Sequence, residues 1–378
     1  MTIVIYLLLI SLFLFTGMLI WFIAGNMFSD TNQHSTETPP VSVIIAIRNG
    51  EDVLPKLLVD LSLQDYAGEL EFILVDDQSE DSTKQLIEEM STKDKRFKYE
   101  SSVNGGSSLN YKKRALDAGI QKARSEWLLF SDVDCRMKST WVRGMTTYFT
   151  DDVDYVIGFS EISRGDKLVT RFQSLDFFML MIGARGSAKS GHAWACSGQN
   201  QAYRKSLFEK VNGYSQIADE LQGDDSLFLQ VCRKQYSTKI VFADKTECRT
   251  MARQEISWVT LFKQRTRWAG DAKIMWKFNG SFFLFIIVTF LLPLLLLVTF
   301  TVGIFHDLYY LTVFVKFFII HFILEFILYF VGVRQFAKST QFFDFCFWYL
   351  IHISYVVMMG MGSFFISQLS WRGRKIYS

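Results

Sequence analysis

Val41–Glu51 reads VSVIIAIRNGE, and Leu70–Thr83 reads LEFILVDDQSEDST. In each stretch an apolar run rich in β-branched residues breaks abruptly into a polar turn. Short continuous apolar runs predict strands buried on both faces, the habit of parallel sheets. Between them Leu54, Leu57, Leu58 and Leu61 recur at helical spacing. Ser82, with Gln85 three residues on, predicts a capping box opening the next helix. Tyr111 to Ala123 then reads as a helix and Trp127 to Phe130 as a strand. Strands alternating with helices predict an α/β domain with a parallel sheet and right-handed crossovers. Such sheets bind ligands beyond the carboxyl ends of their strands.

Outward from this segment the chain turns apolar. No charged residue occurs from Met1 to Ser29, and the run Ile3 to Ala24 reaches the ~20 residues that cross a bilayer. A secretory signal would begin with basic residues and end at a small-residue cleavage site. Neither is present, so an uncleaved anchor is expected. Phe282 to Phe305, Leu308 to Val333 and Phe342 to Leu369 are three further apolar runs. The expected organisation is an anchor at 1–28, an α/β domain at 29–254 entered through a polar linker, an interfacial helix at 255–280, about three membrane helices at 281–370 and a basic tail at 371–378. With 378 residues, half of them hydrophobic, the chain has room for about two domains. A net charge of +2 excludes the strong basic field of a nucleic-acid binder. Aromatic content of 16% with four prolines excludes disorder as the main state. The five cysteines are scattered without a CxxC pair, which predicts buried thiols in a reducing compartment.

Polar residues crowd the strand ends. Asn49 and Glu51 follow the first strand, Asp76 and Asp77 the second, and Ser131-Asp132-Val133-Asp134 the one at Trp127. Each alone is an ordinary solvated turn. Together they face one crevice, where the carboxylates repel unless a cation or a hydrogen-bonded ligand offsets them. Hard oxygen ligands suit Mg²⁺ or Mn²⁺, with a diphosphate as the natural companion.

The order VSVIIAIRNGE, LVDDQSEDST, Lys112-x-x-Ala115-Leu116 and FSDVD resembles the GT-A domain of family 2 inverting glycosyltransferases. The match continues through Ser197-Gly198-Gln199-Asn200-Gln201-Ala202-Tyr203-Arg204-Lys205, Gly223-Asp224-Asp225 and Gln264-Arg265-Thr266-Arg267-Trp268. The last is similar to the QxxRW motif of the membrane-embedded branch, which includes cellulose, chitin and hyaluronan synthases and ceramide-type glucosyltransferases. The ending Trp371-Arg372-Gly373-Arg374 also resembles that branch. The resemblance implies a Rossmann-like α/β GT-A domain with a mixed, mainly parallel sheet, flanked by transmembrane helices.

It also implies roles. Asp76 or Asp77 contacts the nucleotide base, with Asn49 and Glu51 alongside. Lys112 lies near the nucleotide, and Asp132 and Asp134 form the DxD pair, Asp134 being the better metal ligand and Asp132 facing the nucleotide sugar. Asp225 is the general base, preceded by Asp224 where a Glu is commoner. Gln264, Arg267 and Trp268 close over the diphosphate and form the acceptor site. The chemistry needs these types: an acceptor hydroxyl must lose its proton to a carboxylate as the bond forms, and the leaving nucleoside diphosphate must be neutralised.

Plainer readings stand beside these. Glu255 to Phe278 is by composition an amphipathic interfacial helix. Leu168 to Ile182 reads equally as membrane-lying or core. His34 and His192 have no partners at metal spacing, and Asn279-Gly280-Ser281 is a sequon that is inert on a cytosolic face. His321 and Glu325, four apart within an apolar run, are expected to pair. Three full spans after the domain would place Arg372, Arg374 and Lys375 outside, against the positive-inside tendency. A bend at Gly360 or Gly362, returning the last segment, would resolve this.

The expected function is transfer of a UDP-linked hexose to a membrane lipid at the cytosolic face, in a bacterial inner membrane. A processive polysaccharide synthase, with a growing glycan as acceptor and a partner subunit for export, is the alternative. A catalytically silent sugar-nucleotide scaffold is a third reading, disfavoured by the intact acids and QxxRW.

Overall fold

The computed structural model describes residues 2–28, 34–235, 237–339, 341–365, 370–371 and 374–375. The chain divides into two compact units, one of residues 30–163 and 193–254, the other of 1–29, 164–192 and 255–378.

The first unit is the α/β one. Its strands are β1 Val41–Ile47, β2 Leu70–Asp76, β3 Phe97–Ser101, β4 Trp127–Phe130, β5 Arg136–Met137, β6 Tyr155–Gly158, β7 Ser160–Ile162, β8 Gln201–Arg204, β9 Ile240–Ala243 and β10 Thr250–Ala252. Among the described residues they form a seven-stranded sheet, β3-β2-β1-β4-β8-β6-β9, and a small sheet, β5-β10-β7. Every residue of β1 is buried, as a central strand covered on both faces must be. β1, β2, β3 and β4 run parallel. β8 alone in the large sheet runs against its neighbours, β4 and β6. That reversal positions the site, because Gln201 at the start of β8 pairs with Phe130 at the end of β4. The loop entering β8 therefore emerges at the edge where β1, β2 and β4 end.

The helix Thr83–Lys93 starts where expected, after Ser82, but no capping box forms. Asp81 Oδ1 accepts the Thr83 amide at 3.0 Å, while Gln85 Nε2 turns to Glu89 Oε1 at 2.8 Å. The Asp81 carboxylate thus satisfies the first amide of the helix, and Gln85 pairs along the helix instead of reaching back to Ser82.

The second unit is helical: Thr2–Met27, Leu168–Lys189, Trp258–Ala269, Ala272–Phe278, Gly280–Phe305, Leu308–Gln335 and Phe342–Phe365. Among the described residues, four stretches are long and apolar enough to span a bilayer: Ile3–Met27, Gly280–Phe305, Leu308–Gln335 and Phe342–Phe364. Helix Thr2–Met27 buries Leu8, Ser11, Phe15, Leu19 and Phe22 at helical spacing and exposes Ile3, Tyr6, Ile10 and Phe13, the pattern of a span with one face on protein and one on lipid. Helix Leu168–Lys189 buries most of its residues within this unit, so it is core there rather than a surface float. Gly25 and Gly186 let those two helices touch: a Cβ on Gly25 would lie 2.0 Å from the Gly186 carbonyl. Asn26 Nδ2 donates to the Ile182 carbonyl at 2.9 Å, and buried Arg185 donates to the Asn26 carbonyl at 3.1 Å.

Three expectations change here. The segment expected as one interfacial helix is two helices, parted at Gly270 and Asp271. The last helix runs unbroken through Gly360 and Gly362 to Phe365; a Cβ on Gly360 would meet the Phe290 ring at 2.4 Å, so this glycine serves close helix packing rather than a bend. Residues 366–369 and much of the basic tail lie outside the described residues. His321 is turned to the Tyr349 hydroxyl, Nδ1 to Oη 2.8 Å, and to the Phe15 ring, rather than to Glu325. Tyr349 spends its proton on the Phe318 carbonyl at 2.9 Å.

Candidate active site

Two loops at the carboxyl edge of β1 and β2 are laced together. Asn49 and Gln78 both adopt left-handed backbone, φ 47° and 55°, conformations Asn tolerates better than most. The Asn49 amide donates to Ser79 Oγ at 3.0 Å, and its Oδ1 accepts the Glu80 amide at 2.9 Å. Glu51 Oε2 accepts the Ser82 amide at 3.1 Å. Buried Arg48 donates to the carbonyls of Asp77, 2.8 Å, and Gln78, 2.7 Å. Asp76 Oδ1 accepts the Ser79 amide at 3.0 Å, and Asp76 and Asp77 are both buried. Asn49 and Glu51 thus hold the loops whose shape presents Asp76 and Asp77.

Beside them β4 ends in Ser131, Asp132 and Asp134. Ser131 Oγ donates to the Gln199 carbonyl at 2.9 Å, tying this turn to the loop that enters β8. Lys112, in the first turn of helix Tyr111–Lys122, spans two acids: its Nζ is 2.8 Å from Asp132 Oδ1 and 2.8 Å from Asp224 Oδ2. Burial alone would lower the pKa of Lys112, but the Asp132 and Asp224 carboxylates outweigh it and hold the ammonium well above its usual range.

Asp224 and Asp225 follow Gly223, whose φ of 99° only glycine adopts readily; a Cβ there would also strike Leu227 at 2.5 Å. Asp225 immediately precedes helix Ser226–Gln235. Its Oδ1 accepts the Ser226 amide at 2.5 Å and its Oδ2 the Gly198 amide at 3.1 Å. Burial, then the Asp224 charge, push the Asp225 carboxyl up to about 6, against the pull of Lys112 and the two amides. Gly198 is packed over the group: a Cβ there would lie 3.1 Å from Lys112 Nζ, 3.2 Å from Asp224 Oδ2 and 3.7 Å from Asp225 Oδ2.

Of the residues expected from sequence, Lys112, Asp132, Asp224 and Asp225 are drawn together. Asp134, half-buried, sits two residues past Asp132 on the same turn. Gln264, Arg267 and Trp268 belong to the helical unit. There Gln264 Nε2 donates to Glu255 Oε1 at 3.3 Å. Trp268 stacks under the Arg265 guanidinium, 4.0 Å away, and Arg265 in turn donates to buried Asp176 at 3.0 Å.

Gly198, Lys113 and Gln201 received no role from sequence. Buried Lys113 donates to the carbonyls of Glu220 and Gln222, anchoring the loop that leads to Asp224. Gln201 Nε2 donates to the Asp224 carbonyl at 3.2 Å, and its Oε1 accepts from the Tyr155 hydroxyl. One signal was available: Lys112, Lys113 and Arg114 are three cations at a helix N-terminus, where the dipole disfavours them.

A divalent cation fits the β4 turn by its donor chemistry. Asp132 already presents its carboxylate to a cation, the Lys112 ammonium. Among the described residues no three His, Cys, Asp or Glu side chains converge as a metal-ligand cluster. Mg²⁺ is commonly held by one or two carboxylates and completed by substrate phosphates, a requirement Asp132 and Asp134 meet.

The model of a family described as Glycosyl transferase family 21 matches residues 3–377. Among curated proteins, the probable glycosyltransferase YdaM of Bacillus subtilis is 28% identical over 259 residues, 66% of this chain and 60% of that protein. The GalNAc(5)-diNAcBac-PP-undecaprenol beta-1,3-glucosyltransferase of Campylobacter jejuni is 28% identical over 134 residues, 35% of this chain and 42% of that protein. The chain spans less than two thirds of the length of these relatives. Among solved structures, the mannosyltransferase PcManGT from Pyrobaculum calidifontis, in complex with GDP-Man and Mn²⁺, is similar with a TM-score of 0.65. It is 14% identical, covering 98% of this chain and 100% of that one, a likeness of fold.

Proposed function

The chain belongs to glycosyl transferase family 21, and from that premise we propose an inverting transfer of a UDP-linked hexose to a membrane lipid, at the cytosolic face of a bacterial inner membrane. The observation that carries this reading is Asp225, a carboxylate fixed by two backbone amides beside the Lys112–Asp132–Asp224 cluster. Held this way, it takes the acceptor hydroxyl's proton as the new glycosidic bond forms, a role of roughly 10²–10⁴-fold in general. A pKa near the working pH suits a base, and the Asp225 environment supplies one at about 6.

Asp76 and Asp77 receive the nucleotide base. Lys112 carries positive charge to the diphosphate as it departs. Asp132 and Asp134 would hold Mg²⁺ or Mn²⁺, which when bound offsets charge developing on the leaving group. Asp224 keeps Lys112 in place and raises the basicity of its neighbour. Trp268 offers an apolar face to the acceptor while Gln264 and Arg267 attend the diphosphate, Arg by a charge that pH does not remove.

Two features support a lipid acceptor over a polymer. The relative from Campylobacter jejuni is by its name a glucosyltransferase of an undecaprenol-linked glycan. The four candidate spans among the described residues suffice for an anchor and a lipid cleft, whereas exporting a polysaccharide needs a channel. The test is purified protein given a panel of UDP-sugars and extracted lipids, with products weighed by mass spectrometry. One added hexose on a lipid is the expected result. A ladder of masses would favour the polymerase, and no product with any donor would leave the scaffold reading.

A further inference from the structure

Lys112, Lys113 and Arg114 sit in the first turn of helix Tyr111–Lys122, at the positive end of its dipole. Tertiary partners must offset them. Lys113 donates to the Glu220 and Gln222 carbonyls and Arg114 to the Val103 carbonyl at 3.0 Å. Lys112 instead lies 2.8 Å from each of two carboxylates, Asp132 and Asp224. The two acids come from different loops, one after β4 and one before helix Ser226–Gln235. The ammonium shared between them offsets one of their two negative charges, where a divalent cation would offset both. The Gly198 backbone packs against the ammonium, close enough that a Cβ would lie 3.1 Å from Nζ. A metal bound at Asp132 would share that carboxylate with the ammonium, and their like charges repel more strongly at partial burial than in water.

We infer, on the donor-site reading above, that Lys112 is the resident counter-ion of this site and releases Asp132 to a divalent metal only when nucleoside diphosphate arrives to take over the ammonium. Metal and nucleotide are then coupled ligands. Each raises the other's affinity by the same factor, as linkage requires. A metal that enters without nucleotide must share Asp132 with a fixed positive charge. A diphosphate removes that conflict by drawing Lys112 toward its own oxygens. Deleting the charge should remove the conflict as well, with no nucleotide present.

The test is Mn²⁺ binding followed by electron paramagnetic resonance on the full chain in detergent, with and without UDP. For the wild type, UDP should tighten Mn²⁺ binding by roughly tenfold or more. Lys112→Met should bind Mn²⁺ without UDP roughly tenfold tighter than wild type, with little further gain from UDP. Lys112→Arg keeps the charge and should keep the wild-type dependence on UDP. Equal wild-type affinity with and without UDP would overturn the inference, and this arm needs no variant to fold. So would a Lys112→Met protein whose nucleotide-free affinity is unchanged or weaker. If the wild type binds neither Mn²⁺ nor UDP under any condition, the donor-site reading itself falls. Binding of both without coupling removes only the role given to Lys112.

Discussion

The Gly198 amide donates to Asp225 Oδ2 at 3.1 Å, and the same glycine leaves less than ordinary contact distance for a Cβ above Lys112 and Asp224. One backbone position thus orients the proposed base and limits the space around its electrostatic partners. Gly198→Ala keeps the amide but adds a methyl 3.1–3.2 Å from Lys112 Nζ and Asp224 Oδ2. Those groups must shift by a few tenths of an ångström. Transfer is expected to fall roughly tenfold to a hundredfold, the scale of small misplacements in an active site. The thermal melting curve should move little. A variant with wild-type kcat would show that the geometry above Lys112 is not critical.

The pH dependence follows from the Asp225 environment. Burial and the Asp224 charge push its carboxyl up to about 6, so acidification protonates it well before an ordinary aspartate. A protonated carboxyl takes no proton from an acceptor. The rate is therefore expected to fall about tenfold per pH unit below about pH 6 and to level off above it. In Asp224→Asn the repelling charge is gone, and the acidic limb should move to lower pH. A kcat profile that stays flat through pH 5 to 6 would place the base elsewhere.

Chelation tests the turn after β4. Excess EDTA is expected to abolish transfer, and added Mg²⁺ or Mn²⁺ to restore it, because Asp132 and Asp134 offer hard oxygen donors beside the proposed diphosphate position. Turnover that persists at full rate in EDTA would leave Lys112 as the charge that meets the leaving group.

What could be read from sequence was set by how local the signal is. β1, β2 and β4 each announce themselves as continuous apolar runs, and their ends place Asp76, Asp77, Asp132 and Asp134 on one edge. β8 is Gln-Ala-Tyr-Arg, half polar, because Gln201 is buried against Tyr155 and the Asp224 carbonyl; no apolar period marks it. Since β8 is the reversed strand, the place of Gly198 over Asp225 was invisible as well. The capping box is absent because Gln85 pairs with Glu89 one turn on, and the expected His321–Glu325 pair because Tyr349 arrives from another helix. The motifs resemble family 2, whereas the family model that spans the chain is family 21; short motifs shared across a fold do not separate its branches.

The acceptor role proposed for Trp268 is tested by removing its ring. Its ring lies under Arg265, which is fixed by Asp176, so the indole is held by a cation on one face. Trp268→Ala is expected to raise the acceptor KM and lower transfer while UDP affinity stays near wild type. Titrating UDP against both proteins separates the two. An equal loss of UDP affinity would assign Trp268 to the nucleotide instead.

Asp225→Asn is the sharpest test of the proposed chemistry. Asn keeps the shape of Asp and one oxygen to accept from the Gly198 or Ser226 amide, but it has no basicity. Transfer should fall by roughly two to four orders of magnitude. UDP-sugar and metal binding should hold, because those contacts are given to Asp76, Asp77, Asp132 and Asp134. Asp224→Asn is the necessary companion, since adjacent acids share a field and removing either charge changes the other. Its effect should differ in kind. Asp224 holds Lys112 at 2.8 Å, so its loss should weaken the hold on the diphosphate and appear partly as a higher donor KM, with a milder fall in kcat. Measuring kcat and donor affinity on both variants therefore gives two distinct signatures. If Asp225→Asn turns over near the wild-type rate, or loses donor binding in proportion to rate, the proton goes to another group and the assignment of Asp225 is wrong.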